Sequence, residues 1–172
     1  MDKSDKIIIK KSHNADTRTA EGEVTKEDLL VNSRNHIEDV RAVGKFMTDM
    51  LAKNIAAHDY TKVDDIDLFY SDFVRARKGE EFTELDWYQK HITKERHHIQ
   101  AKCHADVNLL DILEMVIDCT VAGMARSGEV FPMELSSEVI NLAMENTKQL
   151  ILDKIEVSDE SVELEDESRV DV

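Results

Sequence analysis

The stretch richest in chemistry is His58-Asp59-Tyr60-Thr61-Lys62. A histidine followed directly by an aspartate offers an imidazole nitrogen and a carboxylate oxygen within one residue's reach, two good ligands for a divalent metal. Such pairs also arise by chance, so the surrounding residues matter. A lone histidine, His36, stands upstream, and a lone acid, Asp118, stands downstream with no other charge from Met115 to Ala125. An isolated ionised carboxylate in so apolar a segment is costly. Asp118 is therefore neutral, paired (with Arg41 or Lys45, for example) or bound to metal. Lys62, three residues after Asp59, is either a surface lysine or a phosphate contact. Four of the seven histidines, His91, His97, His98 and His104, crowd into residues 91–104.

The elements that must position these residues read as helices. Five Gly and a single Pro in 172 residues leave few breakers. Thr25 caps a first helix with Glu27 and Asp28 in its first turn, running to about Ala56. Its stripe of Ile37, Val40, Val43, Met47, Met50 and Leu51 follows three- and four-residue steps, and His36 falls on the same inward side. A buried histidine bonded to backbone is the plainer reading of His36. His58-Asp59 follows a break after Ala57. Asp64, Asp65 and Asp67 then open a second helix ending near Arg77-Lys78-Gly79; these three acids read as a solvated face rather than a site.

Thr83 caps a third helix expected to reach about Ala101. On a helix His91 and His98 lie within about 20° of one another and about 10.5 Å apart along the axis, whereas His97 points about 100° from His98. His97 is thus expected to face solvent or a neighbouring helix. Residues 106–126 are apolar nearly all round, as a central buried helix would be. A last helix runs from Ser136 or Ser137 to about Ile155. Residues 1–24 lack a sustained period and are expected to be mostly disordered, with Ile7–Ile9 able to dock as a strand or anchor. The helical domain then spans 25–155, and 156–172 form an acidic, disordered tail.

The formal charge of −15 argues against a general binder of nucleic-acid backbone. Residues 156–172 carry eight acids and one arginine, nearly half of that excess. Cys103 and Cys119 have no CxxC spacing and read as structural thiols. No run approaches a membrane span and Ile7–Ile9 is too short for a signal peptide, so a cytoplasmic location is expected.

The order His36, His58-Asp59, Asp118, with Lys62 completing His-Asp-x-x-Lys, resembles the HD-domain metal-dependent phosphohydrolases across about residues 26–155. The similarity is to small HD-like proteins of bacterial and phage origin, in which a histidine-rich helix precedes a segment like Glu114-Met115-Val116-Ile117-Asp118. The resemblance implies a compact all-α bundle of about five main helices and hydrolysis of a phosphate ester, most often on a nucleotide or a related small phosphorylated metabolite. It implies a divalent metal held by His36, His58, Asp59 and Asp118, acidifying bound water and polarising a phosphoryl oxygen. Such a donor set suits Mn, Fe, Co or Zn better than Mg or Ca. Asp59 and Lys62 would be the catalytic pair. Some superfamily members hold a second metal through extra histidines, a part that His91 and His98 would play here. Arg34, Arg41, Lys45, Lys62 and His97 are candidates for contacting the phosphate.

The chain is short, so a lid or specificity element is missing or comes from a second subunit, which leaves a homo-oligomer open. A competing class is an acidic helical interaction protein, of phage origin or otherwise, that binds a host or regulatory protein. A carboxylate-histidine di-iron bundle is disfavoured because no Glu-x-x-His pair occurs on two helices.

Overall fold

The computed structural model describes residues 6–158. It is mostly helical, with one short sheet: β1 (Ile7–Lys10), α1 (Lys26–Ala57), the single turn α2 (Thr61–Asp64), α3 (Ile66–Arg77), α4 (Asp86–Lys94), α5 (Leu109–Ser127), α6 (Ser137–Lys154) and β2 (Ile155–Ser158). Five of the helices are the main ones expected from the sequence. The chain divides into two compact units, residues 1–46 with 151–172, and residues 47–150.

In the first unit β1 pairs with β2 in parallel, Ile7 opposite Ile155 and Lys10 opposite Ser158. Lys11 N–H extends the ladder to the Ser158 carbonyl at 3.1 Å. Ile7–Ile9 therefore docks as a strand, and a 3-10 turn at His13–Ala15 follows it, inside a stretch expected to be mostly irregular. The β2 pairing likewise takes the first residues of the segment assigned to the tail. Residues 1–5 and 159–172 lie outside the described residues. Helix α1 starts where Thr25 Oγ1 accepts from Asp28 N–H at 3.1 Å and Asp28 returns the bond to Thr25 N–H at 3.0 Å. This reciprocal cap satisfies two groups that a helix start leaves unpaired.

The second unit carries the core. Ile99, Val107, Met115 and Ala143 are buried together, with Ile112, Cys119, Met133, Leu135 and Val139 packed against them. A second nucleus forms around Trp87, whose ring stacks on Phe69 at 3.9 Å and on His91 at 4.5 Å. Asp72, on α3 and 1% exposed, accepts from Trp87 N–H at 2.8 Å and from Arg75. A carboxylate at the start of α4 favours that helix dipole and ties α3 to α4.

Two expectations are corrected here. The third helix stops at Lys94 instead of reaching Ala101, although no Gly or Pro marks the place. Glu95 turns extended (φ −86°, ψ 101°), and its buried carboxylate accepts from both the N–H and the hydroxyl of Thr61 at 3.0 and 2.7 Å. Arg96 then grips Asp111 through two nitrogens, at 2.9 and 2.8 Å, and also Asp106. Satisfying buried polar groups outweighs a helix propensity of a few tenths of a kcal/mol per residue. The fourth main helix is also not buried all round, and two acids stand among Leu110, Met115, Ala122 and Gly123 on its buried side. In α5 the buried residues include Asp111, Glu114 and Met115, while Leu113, Val116, Ile117, Val121 and Met124 are exposed. The acids point inward because their partners, Arg96 and the histidines, are there.

Candidate metal centre

Helix α1 ends in the turn that carries the His-Asp pair. Asp59 adopts φ 56°, the left-handed conformation, which among the described residues no other non-glycine residue adopts. A left-handed residue is the usual way to stop a helix, and glycine normally supplies it. Using Asp instead costs on the order of 1 kcal/mol and aims a carboxylate into the second unit. Backbone strain of this kind concentrates at functional positions. Lys62, on α2, bonds Asp59 Oδ2 from one turn away.

Around Asp59 four imidazoles form a row. Ring centroids run from His58 to His97 at 4.4 Å, His97 to His98 at 4.2 Å and His98 to His91 at 4.5 Å. The Nε2 atoms of His91, His97 and His98 lie 3.5, 3.7 and 3.9 Å from Asp59 Oδ1. That oxygen is buried and accepts no hydrogen bond. His58 Nε2 is 3.3 Å from Asp59 Oδ2 and 3.5 Å from Asp118 Oδ1, and His97 Nε2 is 4.0 Å from Asp118 Oδ2. Two sets of donor atoms each lie within 4.8 Å of one another: His58, Asp59 and His97, and Asp59, His91 and His98. Asp59 belongs to both. Two donors ~2.1 Å from one ion stand roughly 3.0–3.4 Å apart, so small inward shifts suffice for ligation.

Outer partners fix which nitrogen faces inward. Thr61, fully buried, gives its one hydroxyl proton to Glu95, so at 2.6 Å it accepts from His91 Nδ1–H. This leaves the lone pair on His91 Nε2, which stands 2.7 Å from His98 Nε2, within hydrogen-bond reach, and 3.5 Å from Asp59 Oδ1. Glu114 Oε1 lies 3.0 Å from His58 Nδ1 and 3.1 Å from His97 Nδ1. The bond to His58 is well directed; the approach to His97 has the distance without the alignment, and neither His97 nitrogen has a hydrogen-bonded partner. Carboxylate–histidine pairs of this form orient metal ligands and raise their basicity.

The electrostatics point the same way. Burial, and then the nearby His98, drive the His91 imidazole down to about 3. Burial followed by His97 takes His98 to about 4. Burial pushes the Asp59 and Glu114 carboxyls up, but Lys62 for the first and His97 with His58 for the second outweigh it and hold both below their ordinary values. Burial also lowers His97, yet Glu114, Asp59 and Asp118 together keep it above the usual imidazole value. Asp59 and Glu114 thus favour the carboxylate form, while His91 and His98 favour the neutral imidazole, the form that ligates a metal. Lys62 and His97 supply part of the counter-charge, and this His/Asp group is able to hold a metal ion.

The structure brings together His58, Asp59, Asp118, His91 and His98, with Lys62 on Asp59. Three differences from the sequence reading stand out. His97 does not face solvent: it is 1% exposed and its imidazole is a member of the first set. Its 100° offset from His98 applied to a helix that ends before either residue. His36 is exposed on α1, belongs to the first unit and is in neither set of donors. Arg34, Arg41 and Lys45 also sit on α1 within the first unit. Thr61, Glu95 and Glu114 carried no assigned role. Glu114 was within reach, because it precedes Asp118 by four and so shares its helix face.

No family model, no curated protein and no solved structure matches the chain. No helix among the described residues is long and apolar enough to cross a membrane.

Proposed function

We propose that the protein is a metal-dependent hydrolase of phosphate esters, with one or two transition ions gathered on Asp59. What carries the reading is Asp59 Oδ1, a buried oxygen without a hydrogen bond on which three imidazole nitrogens converge at 3.5–3.9 Å. A nitrogen-rich set with shared carboxylates favours Mn, Fe, Co or Zn over Mg or Ca. Ions held there supply Lewis acidity toward a phosphoryl oxygen and lower the pKa of water. The chain's own residues do the rest. His58, His97, His91 and His98 present fixed nitrogens, with Thr61 and Glu114 holding the tautomers of His91 and His58. Asp59, kept ionised by Lys62, orients the attacking water. As the water oxygen bonds to phosphorus, the ester P–O bond breaks and the alcohol leaves with a proton.

The test is phosphate release from a simple phosphomonoester by the chain supplied with Mn²⁺, Co²⁺ or Zn²⁺. Asp59→Asn, which tolerates the left-handed backbone, should lower kcat at least a hundredfold. Metal-loaded protein without any turnover would refute the hydrolase reading. It would leave the second one, an interaction protein, for which the exposed apolar side of α5 (Leu113, Val116, Ile117, Val121, Met124) speaks.

A further inference from the structure

Beside His91 and His98 the second unit opens a cavity of about 390 Å³. Its walls are Phe69, Phe73, Phe82, Trp87 and Tyr88, and Lys62, bonded to Asp59, and the exposed Arg126 bring positive charge to it. The volume is within the range of small-ligand sites. The aromatic wall is built to stay in place. Trp87 is held between Phe69 and His91, its indole N–H donates to the Thr61 carbonyl at 3.3 Å, and Phe82 lies 5.9 Å from it. Phe73 meets Phe69 edge-on at 6.4 Å and is half exposed, leaving ring surface for a ligand.

The lining also lacks a whole class of group. Among the described residues no carboxylate and no side-chain amide faces this cavity, and its only hydroxyl is that of Tyr88. A nucleobase is recognised by acceptors and donors matched to its polar edge, and edge groups without partners lose affinity. An apolar ring asks for none of these and gains from aromatic contact. Lys62 and Arg126 suit the phosphate.

Resting on the phosphate-ester reading above, we infer that the preferred substrates are phosphomonoesters whose alcohol carries a flat, apolar ring, and that nucleotides are not favoured. The ring occupies the cleft of Phe69, Phe73, Phe82 and Tyr88, and the phosphate is directed to the side where Lys62, His91 and His98 stand.

Trp87 is the chain's one tryptophan and lines this cavity, so its fluorescence reports ligand entry without turnover. Phenylphosphonate and methylphosphonate, neither of which has an ester bond to cleave, separate ring binding from phosphate binding. Phenylphosphonate should bind the full-length protein at least tenfold more tightly than methylphosphonate. Phe73→Ala should weaken phenylphosphonate about tenfold, the size of one lost aromatic contact, and leave methylphosphonate unchanged. Equal affinities for the two phosphonates in the wild-type protein would overturn the inference, whatever becomes of the variant. So would tighter binding of adenosine monophosphate than of phenylphosphonate. In turnover, benzyl phosphate, whose leaving alcohol is about as basic as ethanol, should be cleaved with a higher kcat/KM than ethyl phosphate, and the reverse order would also overturn it. Ring-selective binding with no phosphate released from benzyl phosphate upholds the pocket and removes only the hydrolase reading.

Discussion

Glu114→Gln isolates what the outer carboxylate does for the metal centre. Glu114 is 5% exposed and its Oε1 serves two imidazoles, at 3.0 Å for His58 Nδ1 and 3.1 Å for His97 Nδ1. Glutamine keeps the shape and an acceptor oxygen but removes the charge. A hydrogen bond to a charged group is worth about 1.5–3 kcal/mol against about 0.5–1.5 for a neutral one, so the well-aligned His58 bond loses roughly 1 kcal/mol. The less aligned His97 contact adds up to about as much again. Both changes fall on imidazoles that present Nε2 to the ion, so metal affinity should drop by about 1–2 kcal/mol, or about five- to thirtyfold. Competition with a chelating metal indicator measures this directly, while a thermal melt checks that the helices survive. A shift smaller than twofold, in protein that melts like the wild type, would show that Glu114 merely fills space between the histidines.

Asp59→Gly should separate fold from function: glycine relieves the left-handed strain, so stability should hold or rise by about 1 kcal/mol, while metal binding is lost. A urea titration showing a loss above about 2 kcal/mol would contradict the backbone account. Arg96→Ala leaves the buried Asp111 carboxylate unpaired and should cost about 3 kcal/mol in the same titration, loosening the segment that carries His97 and His98. Gly123 on α5 has Glu129 O and Phe131 N at 2.4 and 2.6 Å from where a Cβ would stand. Gly123→Ala should therefore destabilise by about 1–3 kcal/mol, read as a lowered Tm.

Helix starts and stops were legible where local chemistry decides them: Thr25 caps α1, and Gly128 closes α5 in the left-handed conformation at φ 76°. His58-Asp59 and Asp118 were legible because a charge or a paired ligand stands out against its surroundings. What the sequence hides is tertiary in origin. Nothing local says that Glu95 leaves its helix to meet Thr61, 34 residues earlier, and with that turn go the positions of His97 and His98. His36 misled for a related reason: it follows the stripe of α1, yet no residue of that helix is fully buried. The inward acids of α5 are visible only once Arg96 and the histidines are known to face them.

The most direct test of the metal centre is elemental analysis of tag-free protein after equilibration with Mn²⁺, Fe²⁺, Co²⁺ or Zn²⁺ and removal of the free ion, beside the Asp59→Gly variant. The expected result is one to two tightly held transition ions per wild-type chain and none in the variant, since both sets of donors share Asp59. Wild-type protein that emerges free of metal, or a variant that retains as much as the wild type, would contradict an ion centred on Asp59.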